Sequence, residues 1–165
     1  GGSSVLDARD DVTPKAGVEE AGDIISGADI LPGGTGGDDM FTYDNSSLMD
    51  GLTLSASYTP SDGTSEVESS SDYGLKYTGI EGLTIGAGAG EDNSAAASID
   101  LTNMYVTYTM DAFSVGYQAS EADSETANAD KDFQAIGLSY AVSEDLSVSI
   151  NSSTIEFENS SLSDQ

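Results

Sequence analysis

Carboxylates dominate the side chains that could do chemistry, with 30 Asp and Glu against 4 Lys and Arg, no His and no Cys. Neighbouring acids such as Glu19 and Glu20 have the form of a glycosidase acid/base pair, but acids are so frequent here that one pair carries no information. Without His and Cys there is no Ser–His triad, no thiol chemistry and no ordinary zinc site. The acidic stretches at 36–39, 62–68 and 121–130 offer hard oxygen ligands of the kind Ca²⁺ takes. None has EF-hand spacing, and GGTGGDD at 33–39 occurs once where a calcium β-roll needs many repeats. Structural calcium is compatible with such loops, no site can be assigned, and no organic cofactor is indicated. A formal charge of −26 repels phosphate backbones and excludes nucleic acid as a partner.

The elements that hold these residues are strands. Leu, Ile, Val and Phe supply 32 of 165 residues, little for a soluble core of this length. The apolar residues therefore face something other than a protein interior, or the chain is unfolded. No run of about 18 apolar residues exists, which excludes a transmembrane helix. No charged-then-apolar segment opens the sequence, so any signal peptide has been removed or lies outside it.

Residues 1–37 are rich in Gly, Asp and Glu and lack period-two alternation. They read as one long acidic loop with a short helical turn near 18–25. Residues 38–165 differ. GLTLSASYT at 51–59 places Leu52, Leu54, Ala56 and Tyr58 on one face and Thr53, Ser55, Ser57 and Thr59 on the other, the alternation of a strand. The pattern recurs at 73–78, 83–90, 103–110, 113–120, 135–140 and 146–151, after a weaker strand at 39–45. Short connections at 46–50, 79–82, 110–112 and 142–145 alternate with long acidic ones at 60–70, 91–100 and 121–131. Hairpins with short turns at one end and long loops at the other match a transmembrane β-barrel. Tyr43, Tyr77, Tyr108, Phe113 and Tyr140 fall beside the short turns, and Tyr58 and Tyr73 towards the long loops, as two interfacial girdles would.

MFTYDNSSLMDGLTLSASY at 40–58 resembles the trimeric general-diffusion porins of Gram-negative bacteria. The hairpins YGLKYTGIEGLTIGAGAG, MYVTYTMDAFSVGYQAS and IGLSYAVSEDLSVSI resemble porin strand pairs. The resemblance implies an all-β fold: eight antiparallel up-and-down strands from a 16-stranded transmembrane barrel, preceded by a loop that enters the lumen and narrows it. On this reading the chain is a piece of a longer protein; a complete eight-stranded barrel is the alternative. The resemblance further implies the bacterial outer membrane, contact with its lipid and lipopolysaccharide, a homotrimer, and passive diffusion of small hydrophilic solutes rather than catalysis.

It also assigns roles. Constriction candidates on the loop are Asp7, Asp10, Asp11, Glu19, Glu20, Asp23 and Asp29, any of which could equally be a solvated loop charge. Lumen candidates are Lys76, Thr53, Ser55, Thr78, Thr107, Thr109 and Gln118, with Ser57, Thr84 and Ser114 on the same face. Lys76 is the one basic residue expected on a lumen-facing strand position; Arg9 and Lys15 fall in the long loop and Lys131 in another. The basic cluster of the family's pores is thus absent from these strands: either it lies on strands outside this sequence, or the pore lacks it and leans towards cations. The competing function is a secreted acidic β-rich surface or adhesive protein, with or without bound calcium, which would stay monodisperse without detergent.

Overall fold

The computed structural model describes residues 4–9, 12–14, 39–61, 63, 68–93 and 97–158. Eight strands follow one another: β1 (Phe41–Met49), β2 (Leu52–Thr59), β3 (Ser70–Ile80), β4 (Leu83–Asp92), β5 (Ile99–Met110), β6 (Phe113–Ser124), β7 (Lys131–Ser143) and β8 (Leu146–Phe157). Each pairs antiparallel with the next, in the order β1 to β8. β1 and β8 are not paired with each other, so the sheet is open. Among the described residues no helix is long and apolar enough to cross a membrane.

Strand bounds outrun the alternation in most of the strands, notably β1, β6, β7 and β8. β1 runs to Met49, past a register shift after Asn45, although Asn45–Ser46–Ser47 reads as turn chemistry. The Asn45 carboxamide does accept the Ser47 N–H at 2.9 Å, a local turn-like bond made within a strand. Tyr43 consequently pairs with Ala56, six residues before the end of β1, and belongs to the loop-side tier rather than the turn-side one. β6 continues through Glu121 to Ser124, and β8 through Ser152 to Phe157. Lys131 opens β7 instead of lying in a loop, sharing the face of Phe133 and Ala135.

Register gives the tilt. The cross-strand row that starts at Leu52 passes through Tyr77, Ile85, Val106, Tyr117 and Ile136 to Ser152. Against that row β4 begins two residues nearer the turns, β6 four and β8 six. The short-turn rim therefore steps by one residue per strand. With about 3.3 Å per residue and about 4.8 Å between strands, that stagger corresponds to strands inclined roughly 35°, within the range of transmembrane barrels.

Candidate functional site: a strapped wall with two unlike faces

The outer face carries Leu54, Leu75, Ile85, Met104, Val106, Tyr108, Phe113, Tyr117, Ile136, Tyr140, Val148 and Ile150, all exposed. Among the described residues 22 large apolar side chains are exposed and seven apolar residues are buried. A water-soluble sheet would bury that face or aggregate through it.

Charge is absent from this face until a consistent depth. On β4 the first outward carboxylate is Glu91, eight residues from Leu83; on β6 it is Glu121, eight from Phe113. On β5 it is Asp100, ten from Met110, and on β8 Glu156, ten from Leu146. At the tilt above, eight to ten residues rise about 22–27 Å, which matches the apolar band of roughly 25 Å on transmembrane barrels. Beyond it, carboxylates stack on one another. Glu121 pairs with Asp132 across β6–β7, and its carboxyl is held above the usual range, first by Asp123, then by Asp132, burial and Asp130.

The inner face is crossed by part of the N-terminal segment. Asp7–Arg9 forms a single 3-10 turn, closed by the Arg9 N–H donating to the Leu6 carbonyl at 2.8 Å. Ser4, Val5, Leu6, Arg9 and Thr13 are buried against the sheet. The Val5 N–H donates to Ser57 Oγ at 2.9 Å, and the Ser57 hydroxyl donates to Asp72 Oδ2 at 3.2 Å. Further along, the Val12 N–H donates to Gln118 Oε1 at 3.2 Å. Asn151, with its amide nitrogen turned to the acceptors, donates to the Pro14 carbonyl at 3.0 Å. The Arg9 guanidinium folds back and donates to the Val5 carbonyl at 2.5 Å, which ties the turn.

The contacts keep a constant level. Ser57, Gly88, Gln118 and Asn151 touch the segment on β2, β4, β6 and β8, and each is five residues beyond the first residue of its strand. Because the rim and these contacts share one stagger, the segment runs parallel to the rim. Five residues at this tilt lie about 14 Å above the turns, near the middle of the roughly 25 Å band. Among the described residues, Arg9 Nε, Asn103 Oδ1 and Gln118 Nε2 are buried with no hydrogen-bond partner, a cost that the bonds above must exceed.

Of the lumen candidates, Thr53, Ser55, Lys76, Thr78, Thr107, Thr109 and Gln118 all share the face on which the segment lies. Lys76, Thr78 and Thr109 are exposed, and Thr53, Ser55 and Thr107 are half-buried. Gln118 lies beneath the segment, and Ser55 donates to Asp44 Oδ1 at 2.5 Å. Asp7 belongs to the 3-10 turn. Asp10, Asp11, Glu19, Glu20, Asp23 and Asp29 lie outside the described residues, as do the helical turn expected near 18–25 and Lys15. The inner face also departs from an all-small, polar lining: Leu101, Phe133 and Ile155 are buried on it towards the long loops. The wall residues that hold the segment (Gly74, Gly88, Gly116, Gly137 and Asn151) were not legible as a group, because glycines on an inner face read simply as space.

An outer face free of charge over one bilayer thickness, with a polar inner face, is the construction of a membrane channel. The family profile described as Gram-negative porin matches residues 7–165. The chain belongs to this porin family. No curated protein and no solved structure gives a significant match. As a porin it is a diffusion-channel protein of the bacterial outer membrane and not an enzyme. Among the described residues no group of three or more acids could hold a metal ion. A soluble secreted adhesin would leave the porin's outer face without a solvent that suits it.

Proposed function

We propose that these strands form part of the wall of a water-filled pore for small hydrophilic solutes, and that the segment described at residues 4–9 and 12–14 narrows it. The observation that carries this reading is the level course of the segment, five residues above the turns on β2, β4, β6 and β8. A segment at mid-depth on the polar face reduces the cross-section where the path is longest from either mouth. The free edges of β1 and β8 need strand partners within the hydrocarbon, since an unpaired edge there costs several kcal/mol per group; further strands close the wall.

The pore favours cations. The chain carries −26 overall, Arg9 is turned to the wall, and Lys76 and Lys131 are the basic residues on the inner face of the described strands. Acidic mouths raise local cation concentration, an effect that salt screens within about 10 Å at 0.1 M. Lipopolysaccharide surrounds the loop-side rim, and three copies assemble as in the family to which the chain belongs. Liposome swelling with sugars of graded size tests the channel: uptake should fall steeply with solute size, and deleting residues 4–14 should move the cutoff upward. Swelling that ignores solute size, or a cutoff unmoved by the deletion, would refute the constriction. A reversal potential of anionic sign in a salt gradient would refute the charge preference.

A further inference from the structure

Four glycines on the inner face form two directly opposed cross-strand pairs. Gly74 faces Gly88 on β3–β4, and Gly116 faces Gly137 on β6–β7. Glycine weakens a strand interior, so its presence there marks either a special backbone conformation or a close approach. Conformation is not the reason, because the positive-φ glycines are Gly51, Gly63 and Gly82. Space is the reason. A Cβ on Gly74 would stand 2.7 Å from Val5 Cγ1 and from Arg9 Cζ, and one on Gly88 2.7 Å from Leu6 Cδ2. On Gly116 it would stand 2.5 Å from Pro14 Cδ, and on Gly137 2.6 Å from the Asn151 side-chain amide that holds Pro14, 2.9 Å from the Pro14 carbonyl oxygen and 3.1 Å from Thr13 Cβ. Ordinary carbon contacts are about 3.5–4.0 Å.

We infer that these two glycine pairs are a seat that sets how far residues 4–9 and 12–14 stand off the wall, making Gly74, Gly88, Gly116 and Gly137 positioning residues for the constriction. The inference rests on reading that segment as the constriction. The two ends of the seat differ in compliance. At Gly74 and Gly88 the neighbours are side-chain tips of Val5, Leu6 and Arg9, which can rotate away. At Gly116 the neighbour is the rigid Pro14 ring, and at Gly137 the Asn151 amide and the Pro14 main-chain carbonyl, so a methyl group on Gly116 moves the backbone by about 1 Å. The Pro14 end fixes the segment's height above the wall, and the Val5–Arg9 end follows it.

The test places a reporter thiol by Thr13→Cys, a buried position, in the complete protein in proteoliposomes. Its reaction rate with a charged, water-soluble thiosulfonate is measured alongside single-channel conductance. The parent thiol should be protected. Gly116→Leu should raise its rate at least about tenfold, the scale on which overpacking a close-packed site acts, and should change conductance. Ser114→Leu, on the same strand and face but nearer the turn, should alter neither rate nor segment position. Gly116→Ala should give the same direction with smaller size, and more effect than Gly88→Ala, and it serves if the leucine variant fails to insert. A parent thiol that reacts freely, or one equally protected in Gly116→Leu and Gly116→Ala, overturns the seat. A thiol freed without any change in conductance supports the seat and overturns the constriction reading instead.

Discussion

Replacing Ala87 by arginine gives the sharpest energetic test of which face meets lipid. Ala87 is on the outer face of β4, between Leu75 of β3 and Met104 of β5 in the register. It is four residues beyond Leu83, which at a 35° tilt is about 11 Å above the turns and close to the centre of the roughly 25 Å band. Alanine contributes little contact of its own, so the change isolates the cost of the charge. A cation at that depth on a barrel's lipid face costs about 2–4 kcal/mol, falling to about 0–1 kcal/mol at the interface. Thr84→Arg on the same strand points to the other face and should cost less than about 1 kcal/mol; Glu91→Arg, at the outer edge of the band, should be similarly mild. Equilibrium guanidinium unfolding from lipid vesicles, followed by tyrosine emission because the chain has no Trp, gives the three values at constant slope. Equal costs for Ala87→Arg and Thr84→Arg would refute the assignment of faces.

Three further outcomes follow from single residues. Arg9→Ala removes the guanidinium that ties the 3-10 turn to the Val5 carbonyl; open-channel current noise should rise while the unfolding midpoint of the wall stays put. Glu121→Gln relieves a carboxylate crowded by Asp123 and Asp132. A raised folded-state value means that the folded wall binds the proton more readily than the unfolded chain, so stability falls as pH rises through that value. The glutamine variant should therefore melt higher than the parent at pH 7, and the two should converge as pH falls below the ordinary glutamate range. Asp111 holds a φ of 53° in the β5–β6 turn, where glycine is unstrained; Asp111→Gly should stabilise by up to about 1 kcal/mol in the same unfolding assay.

Much of the wall was legible because alternation is a strict signal where one face meets lipid. Leu83, Ile85 and Ala87 could not be shifted by one residue without turning Thr84 and Gly86 into the hydrocarbon. The same physics explains what was missed. Above the band neither face needs to be apolar, so β6 runs on through Glu121 and Asp123 while the sequence there looks like a loop. Asn45 and the serines after it carry turn chemistry inside β1, where a register shift absorbs the irregularity. The segment contacts were hidden for another reason. Ser57, Gly88, Gln118 and Asn151 are unlike in chemistry and far apart in sequence, and only the stagger of the register puts them on one level.

The central claim is that one face of these strands meets lipid and the other a lumen crossed by residues 4–9 and 12–14. Spin labels placed singly at 103–109 along β5, in the complete protein in lipid vesicles, test it most directly through collision with oxygen, which partitions into lipid, and with a water-soluble nickel chelate. Labels at 104, 106 and 108 should collide with oxygen, those at 107 and 109 with the chelate, and those at 103 and 105, where Asn103 and Tyr105 are buried, with neither to any extent. Chelate access at every position, without a period of two, would contradict the account.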